Sequence, residues 1–192
     1  MEFRQIKTGL GITLITNETI NSIAKVRVFE GRFSEIRNQR LYEINQKLLA
    51  TAKNKNRSNE VGVLWDIVQD RTFIFFGNEN SIDTWKNIEG HKELYNGPSR
   101  TMLWTHNHPR NTSFSSTDIA SFIHRDALMA ALVVCNDGRI HTLVKDYSFD
   151  KARCLMWYNM SKEGEMLKNI IAHQREIGMW YRCSIPNKRR TL

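Results

Sequence analysis

Apolar positions recur along the chain with two periods, one helical and one alternating. Over residues 33–53, Ile36, Leu41, Ile44, Leu48 and Leu49 fall at roughly helical spacing with Arg, Glu, Gln and Lys between them, and Ser34 can serve as N-cap. That spacing predicts an amphipathic helix. Residues 54–59 are polar, break the pattern and read as a loop. Glu60 to Asp66 and Thr72 to Phe76 read as two strands joined by the turn Gln69-Asp70-Arg71. Thr101 to Thr105 is a strand of buried type running straight into His106. Residues 128–135 and 139–145 form a hairpin around Asn136-Asp137-Gly138, since Asp-Gly is a strong turn signal.

The remaining segments carry weaker patterns. Residues 8–16 read as a short strand opened by glycines. Residues 17–24 fit a capped helical turn, and residues 25–29 alternate like a strand. Residues 81–100, with Gly90, Gly97 and Pro98, read as short helix mixed with loop and as a source of substrate contacts. A helix is predicted to start at Ser115 or Ser116, with Ile119, Phe122 and Ile123 on its apolar side. Residues 149–178 read as one long helix with Gly164 as a breaking point, and residues 187–190 as a basic tail. The expected fold class is α/β (α+β), a three-layer domain with a mixed sheet between helices. It divides into an N-terminal strand or extension (1–30), a core (31–150), and a C-terminal helix and basic tail packed on that core (151–192).

Composition narrows the class without naming a function. In 192 residues, 41% hydrophobic and 25% charged residues suffice for one folded domain and argue against disorder throughout. The net charge of +8 permits binding to nucleic acid but does not demand it. Three widely spaced cysteines, Cys135, Cys154 and Cys183, indicate neither a disulfide framework nor a thiolate zinc site, and Cys135 reads as a small core hydrophobe. No apolar stretch of secretory type opens the chain, and no window approaches the ~18–20 apolar residues that span a bilayer. These features give the expectation of a cytoplasmic protein without a membrane partner.

Candidate chemistry concentrates in residues 104–118. His106 and His108 are two residues apart at a strand end, which puts both imidazoles on one face. Pro109 turns the chain out of the sheet, and a loop leads to a helix whose first turn carries Asp118. Two imidazoles, one carboxylate and a water make the open tetrahedral set of a catalytic zinc ion rather than a closed structural one. Such a site needs a carboxylate to take and pass on a proton. Asp66, Glu60 and Glu93 qualify by type, and Glu60 is favoured because it opens a strand that can lie beside the histidine strand.

These residues resemble the signature of the JAMM/MPN+ metalloprotease domain: a Glu on an early strand, then His-x-His-Pro, then Ser-x-x-Asp. Here they are Glu60-Val61-Gly62-Val63-Leu64, His106-Asn107-His108-Pro109 and Ser115-Ser116-Thr117-Asp118. The resemblance covers about residues 30–150, and the His-Asn-His-Pro form is similar to the bacterial RadC-type and phage branches. It implies a cytidine-deaminase-like fold and zinc held by His106, His108 and Asp118. It also implies Glu60 as general acid and base, and Ser115 as hydrogen-bond donor to the oxyanion or the water. The implied reaction is hydrolysis of a peptide or isopeptide bond, often beside the C-terminal tail of a ubiquitin-like protein. The family usually has seven residues between the second His and the Ser, whereas Pro109 to Phe114 is six. Ser116 can therefore share or take the role of Ser115.

Plainer readings stand beside these. The two histidines would be a strand-end pair holding nothing, but the Pro, the Ser-x-x-Asp and the upstream Glu together weigh against that. An HNH nuclease does not fit, because its histidines are widely separated in sequence. His91, His124, His141 and His173 read as structural or solvent-facing. Trp65, Trp85 and Trp104 read as core, with Trp104 the one to watch beside the histidine strand. Two other functions compete with a general isopeptidase: a DNA-associated protein of RadC or phage type, resting on the positive charge, and a processing protease with one dedicated partner.

Overall fold

The computed structural model describes residues 11–28, 33–162 and 164–186. Six strands form one mixed sheet: β1 (Val61–Asp66), β2 (Arg71–Phe76), β3 (Met102–His108), β4 (Leu128–Cys135), β5 (Ile140–Lys145) and β6 (Met179–Ser184). Their order is β2-β1-β3-β4-β5-β6, antiparallel throughout except for the parallel pair β3–β4. Helix α1 (Asn17–Ser22) precedes α2 (Glu35–Lys55). A 3-10 turn (Thr84–Lys86) and α3 (Ile88–Asn96) follow β2. Helix α4 (Ser116–His124) joins β3 to β4, and α5 (Lys151–Met160) and α6 (Met166–Ile177) join β5 to β6. The expected mixed α/β domain, with helices on the sheet, is what forms.

Strands buried on both faces explain the apolar runs in β1 and β4. On one face Val61, Val63, Trp65, Leu103, Leu132 and Val134 pack with Leu41, Ile44, Leu48 and Leu49 of α2. On the other, Leu64, Phe73, Phe75, Met102 and Val133 pack with Ile119, Phe122 and Ile123 of α4, Cys154 of α5 and Ile170 of α6. Each such fully buried aliphatic or aromatic side chain contributes about 1.5–3 kcal/mol. Cys135, Cys154 and Cys183 are free thiols, and burial pushes Cys135 and Cys154 up to about 12.

Helix α2 forms where its spacing predicts it, and the Ser34 side chain accepts from the Arg37 N–H. Other expectations need correction. No strand forms over residues 11–16, where the Thr13 N–H donates to the Pro109 carbonyl; residues 8–10 lie outside the described residues. Residues 25–28 also form no strand, and residue 29 lies outside the described residues. Val26 and Val28 are buried in the α2 core, so their alternation reports one-sided burial and not pairing. The basic tail at 187–190 is likewise outside the described residues.

The helix expected over residues 149–178 is two helices, with Ser161 capping α5 and Gly164 at φ +80° in the connection. The indole of Trp157 stacks on His173 at 3.6 Å between ring centroids, holding the pair together. Strand β6 had no sequence signal clean enough to predict it. It starts directly after Gly178, which ends α6 in the left-handed region at φ +63°. The C-terminal segment thus adds an edge strand to the sheet as well as helices. Among the described residues no helix is long and apolar enough to cross a membrane.

Gly178 is required twice, by its positive φ and by space, since a Cβ there would lie 2.5 Å from the Phe149 nitrogen and the Ser148 carbonyl carbon. Gly164 shares the positive φ, but a Cβ there meets nothing within 4 Å. Gly178→Ala is expected to cost about 2 kcal/mol or more of unfolding free energy and Gly164→Ala about 1 kcal/mol. Urea denaturation of the two variants checks the difference.

Candidate metal centre

The alternation of β3 sends Trp104, His106 and His108 to the α4 side of the sheet, and Thr105 and Asn107 to the α2 side. Thr105 Oγ1 donates to Asn45 Oδ1 of α2 at 2.9 Å. The strand expected from Thr101 carries both histidines at its end, as their spacing requires. It runs through His108 because β4 pairs with it as far as His108 opposite Cys135. Both imidazoles are therefore held by paired backbone in the middle of the sheet.

The loop from Pro109 to Phe114 returns the chain to the site. Asn111 takes φ +59° there, and three contacts fix it: Arg139 Nη2 donates to its carbonyl (3.1 Å), the Asp137 N–H donates to its Oδ1 (3.0 Å), and its Nδ2 donates to Thr13 Oγ1 (2.9 Å). Phe114 is buried in the core and anchors the far end. Helix α4 is then secured at both termini. Ser115 and Asp118 form a capping box at its start. At its end Lys145 Nζ donates to the Arg125 carbonyl (2.8 Å) and Lys151 Nζ to the His124 carbonyl (3.0 Å). Burial pulls Lys145 down to about 7.

His106 Nε2 and His108 Nε2 are 3.0 Å apart; His106 Nε2 lies 3.2 Å from Asp118 Oδ1, and His108 Nε2 lies 3.5 Å from Asp118 Oδ2. The two Asp118 distances run to different carboxylate oxygens; taking one donor atom from each residue, the three lie within 4.8 Å of one another, close enough to reach one ion. His108 Nδ1 faces the Thr112 carbonyl at 3.0 Å, which can only accept. In the neutral ring the proton sits on Nδ1, and Nε2 turns a lone pair toward His106 and Asp118. These three residues could hold a metal ion.

The electrostatics are those of a crowded, dry site. Burial lowers the His108 pKa, but the Asp118 carboxylate and the charge of Glu60 outweigh it and the net shift is upward. Burial raises Asp118, and the two histidines reverse that, so its carboxyl stays ionised far below the usual range. Glu60 is buried at the mouth of β1 and its pKa is raised, mainly by that burial and against the pull of His106 and His108. Glu60 thus shares the field of all three candidate ligands, as its place opposite β3 predicts. Asp66 and Glu93, its rivals by type, are occupied elsewhere: Asp66 Oδ1 accepts the Val68 and Gln69 N–H groups, and Glu93 pairs with Arg71 at 3.2 Å.

Ser115 is committed to Asp118. Its Oγ donates to Asp118 Oδ2 at 2.6 Å, its N–H donates to the same oxygen at 2.8 Å, and Oγ accepts from the Asp118 N–H at 3.1 Å. Ser116 is the first residue of α4, half-buried. Of the tryptophans, Trp65 is core, whereas Trp85 is 71% exposed and stacks on His91, correcting the expectation for it. Trp104 is half-buried, with its ring 5.9 Å from that of His106. It lies over Gly62, where any Cβ would collide with the indole, so the glycine after Glu60 makes room for this wall of the site. His124 is exposed, and His141 is buried with its Nδ1 2.7 Å from the Tyr181 hydroxyl.

Sequence reasoning missed Thr112, which orients His108, and the fully buried pair Asn107 and Asn136 beneath the site. Compared with protein-family models, curated proteins and solved structures, the chain matches none.

The pH behaviour of the metal-free protein follows from two opposite shifts. Asp118 is lowered, so its contribution is present above its unfolded pKa and lost only in strong acid. His108 is raised, so its contribution is full below about 6.5 and disappears as pH rises through the higher folded value. Asp118→Asn is therefore expected to destabilise chelator-treated protein more at about pH 6 than at about pH 9. Chemical denaturation at the two pH values in the presence of a chelator measures this.

Proposed function

We propose that this chain is a zinc-dependent hydrolase of the JAMM/MPN+ type, cleaving a peptide or isopeptide bond. The observation that carries this reading is the convergence of Glu60 with the His106–His108–Asp118 cluster, whose ligand atoms lie within 4.8 Å of one another. The donor set supports zinc: two neutral imidazoles and one carboxylate suit it, and an open fourth position suits catalysis. The six-stranded mixed sheet between helices is compatible with the cytidine-deaminase-like architecture of that family.

When bound, zinc supplies Lewis acidity, polarising a carbonyl and lowering the pKa of a coordinated water to about 7. The chain's own residues do the rest. His106 and His108 present Nε2 lone pairs from rigid strand backbone. Asp118 faces both with its carboxylate, and the Ser115 hydroxyl and N–H fix that carboxylate. Glu60, its pKa raised by burial, takes a proton from the attacking water and delivers it to the departing amine nitrogen. Ser115, the serine of the signature, acts in this reading through Asp118, whose carboxylate its hydroxyl and N–H hold. Trp104, with Ile82 beside it over Gly62, walls the site, and the segment 81–100 is the proposed source of further substrate contacts. The substrate class is a protein or peptide amide, with a ubiquitin-like C-terminal tail as the first one to test.

Purified chain is expected to hold one zinc ion, and His106→Ala or His108→Ala to lose it. Glu60→Gln should keep the metal and lose about 100-fold or more of hydrolysis of a fluorogenic ubiquitin-tail amide or of a co-expressed natural partner. Elemental analysis of all four proteins, with the hydrolysis assay, checks this. Wild type without zinc, or Glu60→Gln as active as wild type, would overturn the reading.

A further inference from the structure

We infer that Asn107, the residue between the two histidines, is a positioning residue for Glu60. This rests on the proposed role of Glu60. The orientation of the Glu60 Cα–Cβ bond is set by the two peptide planes that flank it. The first contains the Asn59 carbonyl and the Glu60 N–H; the second contains the Glu60 carbonyl and the Val61 N–H. Asn107 holds one group in each. Its Nδ2 donates to the Asn59 carbonyl at 3.2 Å, and its Oδ1 accepts from the Val61 N–H at 2.7 Å. The remaining groups are also bound. The Glu60 N–H donates to the Asn78 carbonyl (2.9 Å), and the Glu60 carbonyl accepts from the Gly77 N–H (2.9 Å) and from Asn56 Nδ2 (2.7 Å).

The Asn107 amide is itself locked. Its Nδ2 also donates to Asn136 Oδ1 at 2.8 Å, and Asn136 Nδ2 donates to the carbonyls of Thr13 (2.7 Å) and Ser58 (2.9 Å). Both acceptors of Asn107 Nδ2 lack a hydrogen to give, so the amide orientation is unambiguous. Asn107 and Asn136 have no solvent exposure. A buried carboxamide in a central strand costs stability unless fully partnered, and an aliphatic side chain would serve the core at that place. Here every polar atom of Asn107 is used, and two of its three bonds go to the backbone on either side of Glu60. One strand thus presents imidazoles on one face and fixes the proposed base from the other. Hydrolytic geometry is sensitive to displacements of order 1 Å, which a loosened Glu60 backbone would permit.

The test uses full-length protein carrying cobalt(II) in place of zinc, in four forms: wild type, Glu60→Gln, Asn107→Ala and the double variant. The readout is the pH midpoint of the cobalt visible spectrum. Glu60→Gln is expected to move that midpoint. Asn107→Ala should bind cobalt at the same stoichiometry and move the midpoint in the same direction, and should add nothing in the double variant. A second readout needs no metal: the Val61 amide should exchange about ten-fold faster in Asn107→Ala, with β4 amides unchanged. Asn107→Thr, which suits a strand and cannot bridge both peptide planes, replaces Asn107→Ala under the same criteria if the latter does not fold. A wild-type midpoint in the Asn107 variants, or a double variant showing the sum of two independent shifts, overturns the positioning role alone. No cobalt uptake by wild type, or an unmoved Glu60→Gln midpoint, brings down the hydrolase reading and this inference with it.

Discussion

At the C-terminal end of β3 three consecutive polar side chains, His106, Asn107 and His108, are taken out of water together in the middle of a six-stranded sheet. Apolar neighbours cannot satisfy them, and an unpaired buried polar group costs on the order of 1–3 kcal/mol. The surrounding architecture answers that demand on both sides, His106 Nδ1 excepted. Asp118 and Thr112 meet the imidazoles, and Asn59, Val61 and Asn136 meet the carboxamide. The loop and helix after β3, the polar turn before β1 and the β4–β5 hairpin are all brought to one place by the polar end of one strand.

The two sides of the strand differ in kind. Beneath the sheet the hydrogen bonds close: each polar atom of Asn107 has a neutral partner, and the arrangement is rigid. Above it the groups are charged or able to become so. Two imidazoles and an aspartate crowd within hydrogen-bond distance, a second carboxyl is buried close by, and His106 Nδ1 has no hydrogen-bond partner among the described residues. A divalent cation at the centre of the triangle would satisfy the Nε2 lone pairs and the Asp118 charge at once, which is the physical sense of the proposed zinc reading.

Much of this was legible in the residues themselves. The helical spacing of Ile44, Leu48 and Leu49, the Asp-Gly turn at 137–138 and the apolar runs of β1 and β4 name their elements, because local sterics and one-sided burial act over a few residues. The His-x-His spacing, the proline after it and the Ser-x-x-Asp box predicted a shared face and a capped helix, and those also depend on nearest neighbours. Other features were not local. Residues 25–28 alternate like a strand, yet Val26 and Val28 are buried against the α2-side core without pairing into the sheet. Strand β6 has a poor pattern, yet β5 offers an open edge and it pairs. Trp85 looks like core by type, but its 3-10 turn leaves it at the surface.

The sequence by itself therefore determined the chemistry available at this site: which donors exist, in what order, and on which face of a strand or turn of a helix each falls. Backbone period and capping settle those matters within a few residues. Only the tertiary structure decided that Glu60 comes to the histidines and that Asn107 reaches the backbone around Glu60. Those contacts join residues more than forty positions apart. They arise because strands β1, β3 and β4 must pair side by side to bury their apolar faces, and no single segment carries that requirement alone.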